Sequence, residues 1–141
     1  MTRDQIVELL NRRLEALKKR DFKGIAAIYT ENAVAVSPFG GVQEGRDEIE
    51  RTYRLFMSAF GDIEYLMDEP IVDGGRVVQI GKVKGTHTGD FFGVAPTGRH
   101  LEFEMASVFT FENGLIKEER RIYDFTGVLI QIGVLKAKPS A

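Results

Sequence analysis

Two strand-like runs joined by a three-residue turn dominate the second half of the chain. Leu101–Phe111 and Leu115–Phe125 flank Glu112-Asn113-Gly114. Asn and Gly accept left-handed backbone at little cost, so this turn closes a hairpin. The second run ends on Asp124, set among Ile122, Tyr123 and Phe125. A carboxylate among apolar side chains loses hydration and its pKa rises. That makes it basic enough to take a proton near neutral pH. Alternate residues of a strand share a face. Glu118, Arg120, Ile122 and Asp124 therefore lie on one side, and Lys117, Glu119, Arg121 and Tyr123 on the other. If the first face lines a cavity, Arg120 and Asp124 are neighbours there. Arg120 would then either lower the basicity of Asp124 through an ion pair or bind a substrate oxygen.

The rest of the chain supplies helices first and strands afterwards. Thr2-x-x-Gln5 reads as a capping box. Ile6, Leu9, Leu10, Leu14 and Leu17 follow at helical spacing, which predicts a helix over about 2–20. The basic residues of Arg12–Arg20 alternate with leucines and read as its solvated face. Asp21 caps a short second helix through Ile28 and Tyr29. Ala33–Ser37 reads as a strand stopped by Pro38 and Gly40-Gly41. Gly45-Arg46-Asp47 opens a third helix with the stripe Ile49, Tyr53, Phe56, Met57 and Phe60. Strands follow at Ile63–Val72, interrupted by Pro70, and at Arg76–Thr88, with Asp73-Gly74-Gly75 turning between them. Gly89–Gly98 is a loop, and Gly127–Leu135 is a short helix or a closing strand. The pattern is α+β: one domain over residues 1–141, with helices on one face of a curved, mixed sheet of five or six strands. A conical cavity is expected between the layers.

Composition narrows the function classes. A net charge of −2 with no large basic block argues against nucleic-acid binding. The chain has no cysteine, which excludes disulfides, zinc–thiolate sites and a cysteine nucleophile. No apolar run reaches the roughly 20 residues that span a membrane. The opening MTRDQIVELL does not read as a signal peptide, so a cytoplasmic location is expected. No Gly-x-Ser-x-Gly elbow and no phosphate-binding glycine loop occur.

Several motifs together resemble the SnoaL-like polyketide cyclases, a family with the cone-shaped nuclear transport factor 2-like fold. They are Gly45-Arg46-Asp47-x-Ile49, Gly85-Thr86-His87-Thr88-Gly89, Phe92-Gly93 and Pro96-Thr97-Gly98. Asn113-Gly114-Leu115-Ile116-x-Glu118-Glu119 and Asp124-x-x-Gly127-x-Leu129-x-Gln131-Ile132-Gly133 complete the set. They span about residues 22–134. The resemblance implies three N-terminal helices and a cofactor-free, metal-free enzyme. It would close a ring by intramolecular aldol condensation, or act as a related isomerase, on a small or polycyclic carbonyl compound. It assigns the acid/base role to Asp124. The histidine that such cyclases carry one strand earlier falls at or near Thr110, and Arg120 stands where tryptophan is common.

His87 reads either as a general acid or oxyanion partner, or as a turn residue bonded to the following loop. Tyr29, Phe39, Tyr53, Phe56, Met57 and Phe60, with Thr110 and Ile122, are the candidates for lining an apolar binding pocket. Tyr53 stands out because a buried hydroxyl needs a partner. Two alternatives stay open. The first is epoxide hydrolase-like hydrolysis, with Arg120 between Asp124 and one of Glu102, Glu104 or Glu118. The second is a non-catalytic small-molecule-binding or dimerisation module, because proteins of this fold commonly pair through the outer sheet face as homodimers.

Overall fold

A computed structural model describes residues 1–137. Three helices lie in the N-terminal half, the third after the first two strands: α1 (Arg3–Lys18), α2 (Phe22–Ala27) and α3 (Arg46–Ala59). Thr2 and Gln5 close the capping box on α1, and Asp21 caps α2 through the Gly24 amide. The strands are β1 (Tyr29–Ser37), β2 (Gly41–Glu44), β3 (Glu64–Met67), β4 (Ile71–Asp73), β5 (Arg76–Thr86), β6 (His100–Glu112) and β7 (Leu115–Ile122). A fourth helix, α4 (Phe125–Gln131), takes up the tail. Among the described residues, no helix is long and apolar enough to cross a membrane.

All seven strands form one curved, unclosed sheet in the order β2-β1-β7-β6-β5-β3, with β4 also on β5. Among the described residues only β1 and β7 run parallel, so the sheet is mixed. Two register shifts bend it: one in the β1–β7 ladder between Tyr29 and Val34, the other in β6–β7 between Thr110 and Phe111. Helices fill the concave side. The core runs from Ile6, Leu10 and Leu17 of α1, through Ile49 and Met57 of α3, to Val77, Val83, Leu101 and Phe109 of the sheet. This is the expected α+β cone with three N-terminal helices, but its sheet has seven strands where five or six are expected.

The register shift in β6–β7 decides what faces inward. Thr110 pairs with Glu118 but Phe111 pairs with Ile116, which leaves Lys117 as the extra residue. Ile116 is therefore inward, and past the bulge Glu119, Arg121 and Tyr123 are inward too. Ser107 is buried in line with Met105 and Phe109. β7 also ends at Ile122, two residues before Asp124, because Asp124 starts α4.

Candidate functional site

The concave side holds a buried polar cluster built from four elements. Arg13 comes from α1, Tyr53 from α3, Tyr29 from the start of β1, and Glu119 and Arg121 from β7. Arg13 occupies the apolar stripe of α1 beside Leu9, Leu10 and Leu17 and is 2% exposed. This corrects its reading as part of a solvated face: Leu14 is only partly buried, and the guanidinium takes the inner position because it has partners there. Glu119, also 2% exposed, is the carboxylate at the centre.

The bonds satisfy Glu119 completely. Arg121 Nε donates to Oε2 at 2.9 Å and Nη2 to Oε1 at 3.1 Å. Arg13 Nη2 donates to Oε2 at 3.2 Å and to the Tyr53 hydroxyl at 2.7 Å. The Tyr29 hydroxyl donates to Oε1. Tyr29 and Tyr53 hydroxyls lie 3.0 Å apart, and because Tyr29 gives its proton to Glu119, Tyr53 is the donor between them. Arg121 also stacks on the Tyr53 ring, 4.4 Å from its centroid. Burial alone would raise the Glu119 pKa, but Arg121 and Arg13 outweigh it and pull the carboxyl down to about 2. Burial raises Tyr65, and pushes Tyr123 up to about 12, so both phenols stay protonated. Two guanidinium groups against one carboxylate leave one positive charge over.

A small, partly open pocket of about 30 Å³ borders this cluster, walled by Arg13, Arg121, Tyr65, Tyr123, Phe56 and Phe39 among others. That is room for about one water molecule. A larger concavity of about 650 Å³ runs along α1 and α2, but it is an open, mixed-charge groove with none of the buried polar cluster in it. Among the described residues, no three His, Asp or Glu side chains gather as metal ligands would.

The sequence candidates separate into two groups. Tyr29 and Tyr53 belong to the cluster, and Phe39 and Phe56 wall the small pocket. Met57 and Phe60 are core residues beside them. His87 is buried outside that wall; its Nδ1 accepts the Thr97 amide at 3.2 Å, and its Nε2 has no partner among the described residues. The expected inner face of β7 is corrected: Arg120 is exposed, Ile122 is 49% exposed and Thr110 points outward beside Glu118. Each has the opposite parity to Glu119, Arg121 and Tyr123. The expected apolar setting of Asp124 is corrected too. Its carboxylate is exposed and accepts the Gly127 amide at 2.9 Å as the cap of α4. The second carboxylate needed for the epoxide-hydrolase arrangement is missing from the interior, since Glu102, Glu104 and Glu118 are all exposed. One carboxylate sits between two arginines, the inverse of that arrangement.

The comparisons with known proteins agree with this architecture. The family model of the SnoaL-like polyketide cyclases matches residues 8–132. Among solved structures, a SnoaL-like protein from Jannaschia sp. CCS1 superposes with a TM-score of 0.84 at 22% identity, covering 96% of this chain and 94% of that one. TsrD from Streptomyces laurentii gives 0.84 at 21%, covering 96% and 99%. IdmH from Streptomyces antibioticus, a candidate polyketide cyclase, gives 0.76 at 24%, covering 89% and 96%. No curated protein matches the chain. The chain belongs to the SnoaL-like polyketide cyclase family.

Proposed function

We propose that the chain is a cofactor-free enzyme that removes a proton beside the carbonyl of a small or polycyclic compound, with Arg121 stabilising the enolate inside the cone. The observation behind this reading is the buried Arg13–Glu119–Arg121 cluster at the wall of the small pocket. A fixed cation in a water-poor site stabilises developing negative charge far better than it would in water. Arg121 borders the volume, and its Nη1 makes no hydrogen bond among the described residues. Glu119 is held ionised and is a poor proton acceptor near neutral pH. Its work is to fix Arg121, so it is a positioning residue. The family pattern gives the proton to Asp124, one residue from Tyr123 in the wall; that carboxylate would leave the Gly127 amide to reach a substrate at the rim. The carbanion then attacks a second carbonyl of the same molecule, or is reprotonated elsewhere as in an isomerase. Two copies of the chain are proposed to pair through the outer sheet face.

Deuterium wash-in tests this without knowledge of the product. A panel of small ketones and β-keto esters is incubated in D₂O and followed by NMR. Wild type exchanges the carbon-bound proton of at least one compound. Arg121→Lys, which keeps the charge and loses the fork geometry, lowers the rate by about 10²–10³, the usual loss for one oxyanion partner. Asp124→Asn keeps the helix cap, because Asn caps as well as Asp, so its loss of exchange reports proton transfer alone. Exchange indifferent to Arg121→Lys would sink the reading. Binding without any exchange across the panel would favour a non-catalytic module.

A further inference from the structure

The volume beside Arg121 is too small for a ring-bearing carbonyl compound, at about 30 Å³. Binding in the cone therefore requires part of its wall to move, and the hydrogen bonds distinguish which part. The loop between β5 and β6 is pinned at both ends. Thr88 and Gly89 amides both donate to the Ala59 carbonyl, at 3.0 and 3.1 Å. The Gly98 amide donates to the His87 carbonyl at 2.9 Å, and the Thr97 amide to His87 Nδ1. Between these pins, the hydrogen bonds of residues 90–96 stay within the segment among the described residues. Phe91 and Val94 exchange backbone bonds, and the Gly93 amide donates to Asp90 Oδ2 at 3.1 Å. The tip is docked by the Phe91 ring, buried against Phe39, Phe56 and Phe60 with centroids 5.5, 6.3 and 5.6 Å away. The next residue, Phe92, is 60% exposed with φ 51°, a conformation costly for an aromatic residue. Phe39 and Phe56 also wall the small pocket. The Phe91 ring therefore lies directly behind that wall, held by packing and not by bonds.

We propose that residues 90–96 are a lid with Phe91 as its plug, and that the ligand is a small monoanion carrying a flat apolar ring. The anionic group sits on Arg121 and the ring takes the place of Phe91. The charge follows from the cluster, where two guanidinium groups face one carboxylate and burial of an unmatched cation is costly without an anion. The ring follows from what it displaces: a slot between Phe39, Phe56 and Phe60 suits offset or edge-on aromatic contacts. This rests on the reading of the cone as the binding site, and it adds the ligand's class and its route.

The chain contains no tryptophan, so Phe91→Trp gives a single fluorescent reporter. The probes are 4-phenylbutanoate and its neutral amide, which do not absorb where tryptophan is excited. Wild type should bind the anion at least tenfold more tightly than the amide by calorimetry. Saturation with the anion should shift Phe91→Trp emission to the red as the indole leaves the core. It should also speed deuterium exchange of the 90–96 amides in wild type. Equal affinity for both probes overturns the charge assignment, and binding of neither overturns the ligand class. Binding with unshifted emission and unchanged exchange overturns the lid. Should Phe91→Trp not fold, wild-type exchange alone decides the lid. None of these readouts involves turnover, so an inert protein that binds passes here and fails the wash-in assay.

Discussion

Glu119 sits where one neutral substitution strands two guanidinium groups in the core. Glu119→Gln removes the charge while keeping the shape, and breaking a buried pair of this kind costs about 3–5 kcal/mol. Urea denaturation of the purified variant reads that loss. The pH dependence carries a sign that checks the cause. The carboxyl is depressed from 4.5 to about 2 on folding. Its contribution is therefore complete above the unfolded value and is lost as pH falls from about 4.5 toward 2. Wild type should lose stability through that window more steeply than Glu119→Gln does; parallel curves would show that the carboxylate is not held by its arginines. At this scale the sequence misleads for a definable reason. Hydrophobicity points Ile122 inward and charge points Arg121 outward, yet the bulge at Lys117 and the mutual satisfaction of Arg13, Glu119 and Arg121 invert both. The legible signal was Arg13 itself, which falls on the apolar period of α1, together with Tyr53, whose hydroxyl required a buried partner.

The elements are set by punctuation as much as by period. The capping box, the Asp21 cap and the Asn113-Gly114 turn each fall where the residues place them, with Asn113 and Gly114 at φ 53° and 77°. Elements with little apolar signal were harder to read. β2 is four residues long with one valine, so Pro38 and Gly40-Gly41 look like a terminus when they are the turn of a hairpin. The end of β7 was hidden because Asp124 serves as a cap, a role its apolar neighbours do not announce. Gly89 tests the hinge of the 90–96 segment. A Cβ there would collide with the Ser58 carbonyl oxygen, a backbone atom that cannot swing aside. Gly89→Ala should force the loop off the end of α3 and cost about 1–3 kcal/mol, as overpacking does. Hydrogen exchange should accelerate at Thr88 and Gly89 amides, which lose the Ala59 carbonyl. Unchanged stability and exchange would mean that α3 ends more loosely than its bonds indicate.

At the scale of the whole molecule, the cone interior accounts for the polar cluster but not for the outer face of the sheet. Ile80 pairs across to Ala106, and Ala106 to Ile122, while Val78, Val108, Arg120, Val36 and Val42 run alongside in register. Ile80, Ile122, Val36 and Val42 are all exposed. Isolated apolar residues on a surface need no explanation, but a patch that spans five strands and is broken only by Arg120 does. The expectation that copies pair here comes from the habit of proteins of this fold, and the patch is the feature of this chain that supports it. A second copy suits the surface because a sheet face can lie against its own twin, matching apolar patch to apolar patch. Ile80→Glu with Ile122→Glu places two like charges in each half of such a contact, leaving the cone untouched. Sedimentation should then find a dimer for wild type and a monomer for the double variant, with wild-type probe binding retained by the monomer. A monomeric wild type, or a dimer that survives both charges, would move the interface off this face.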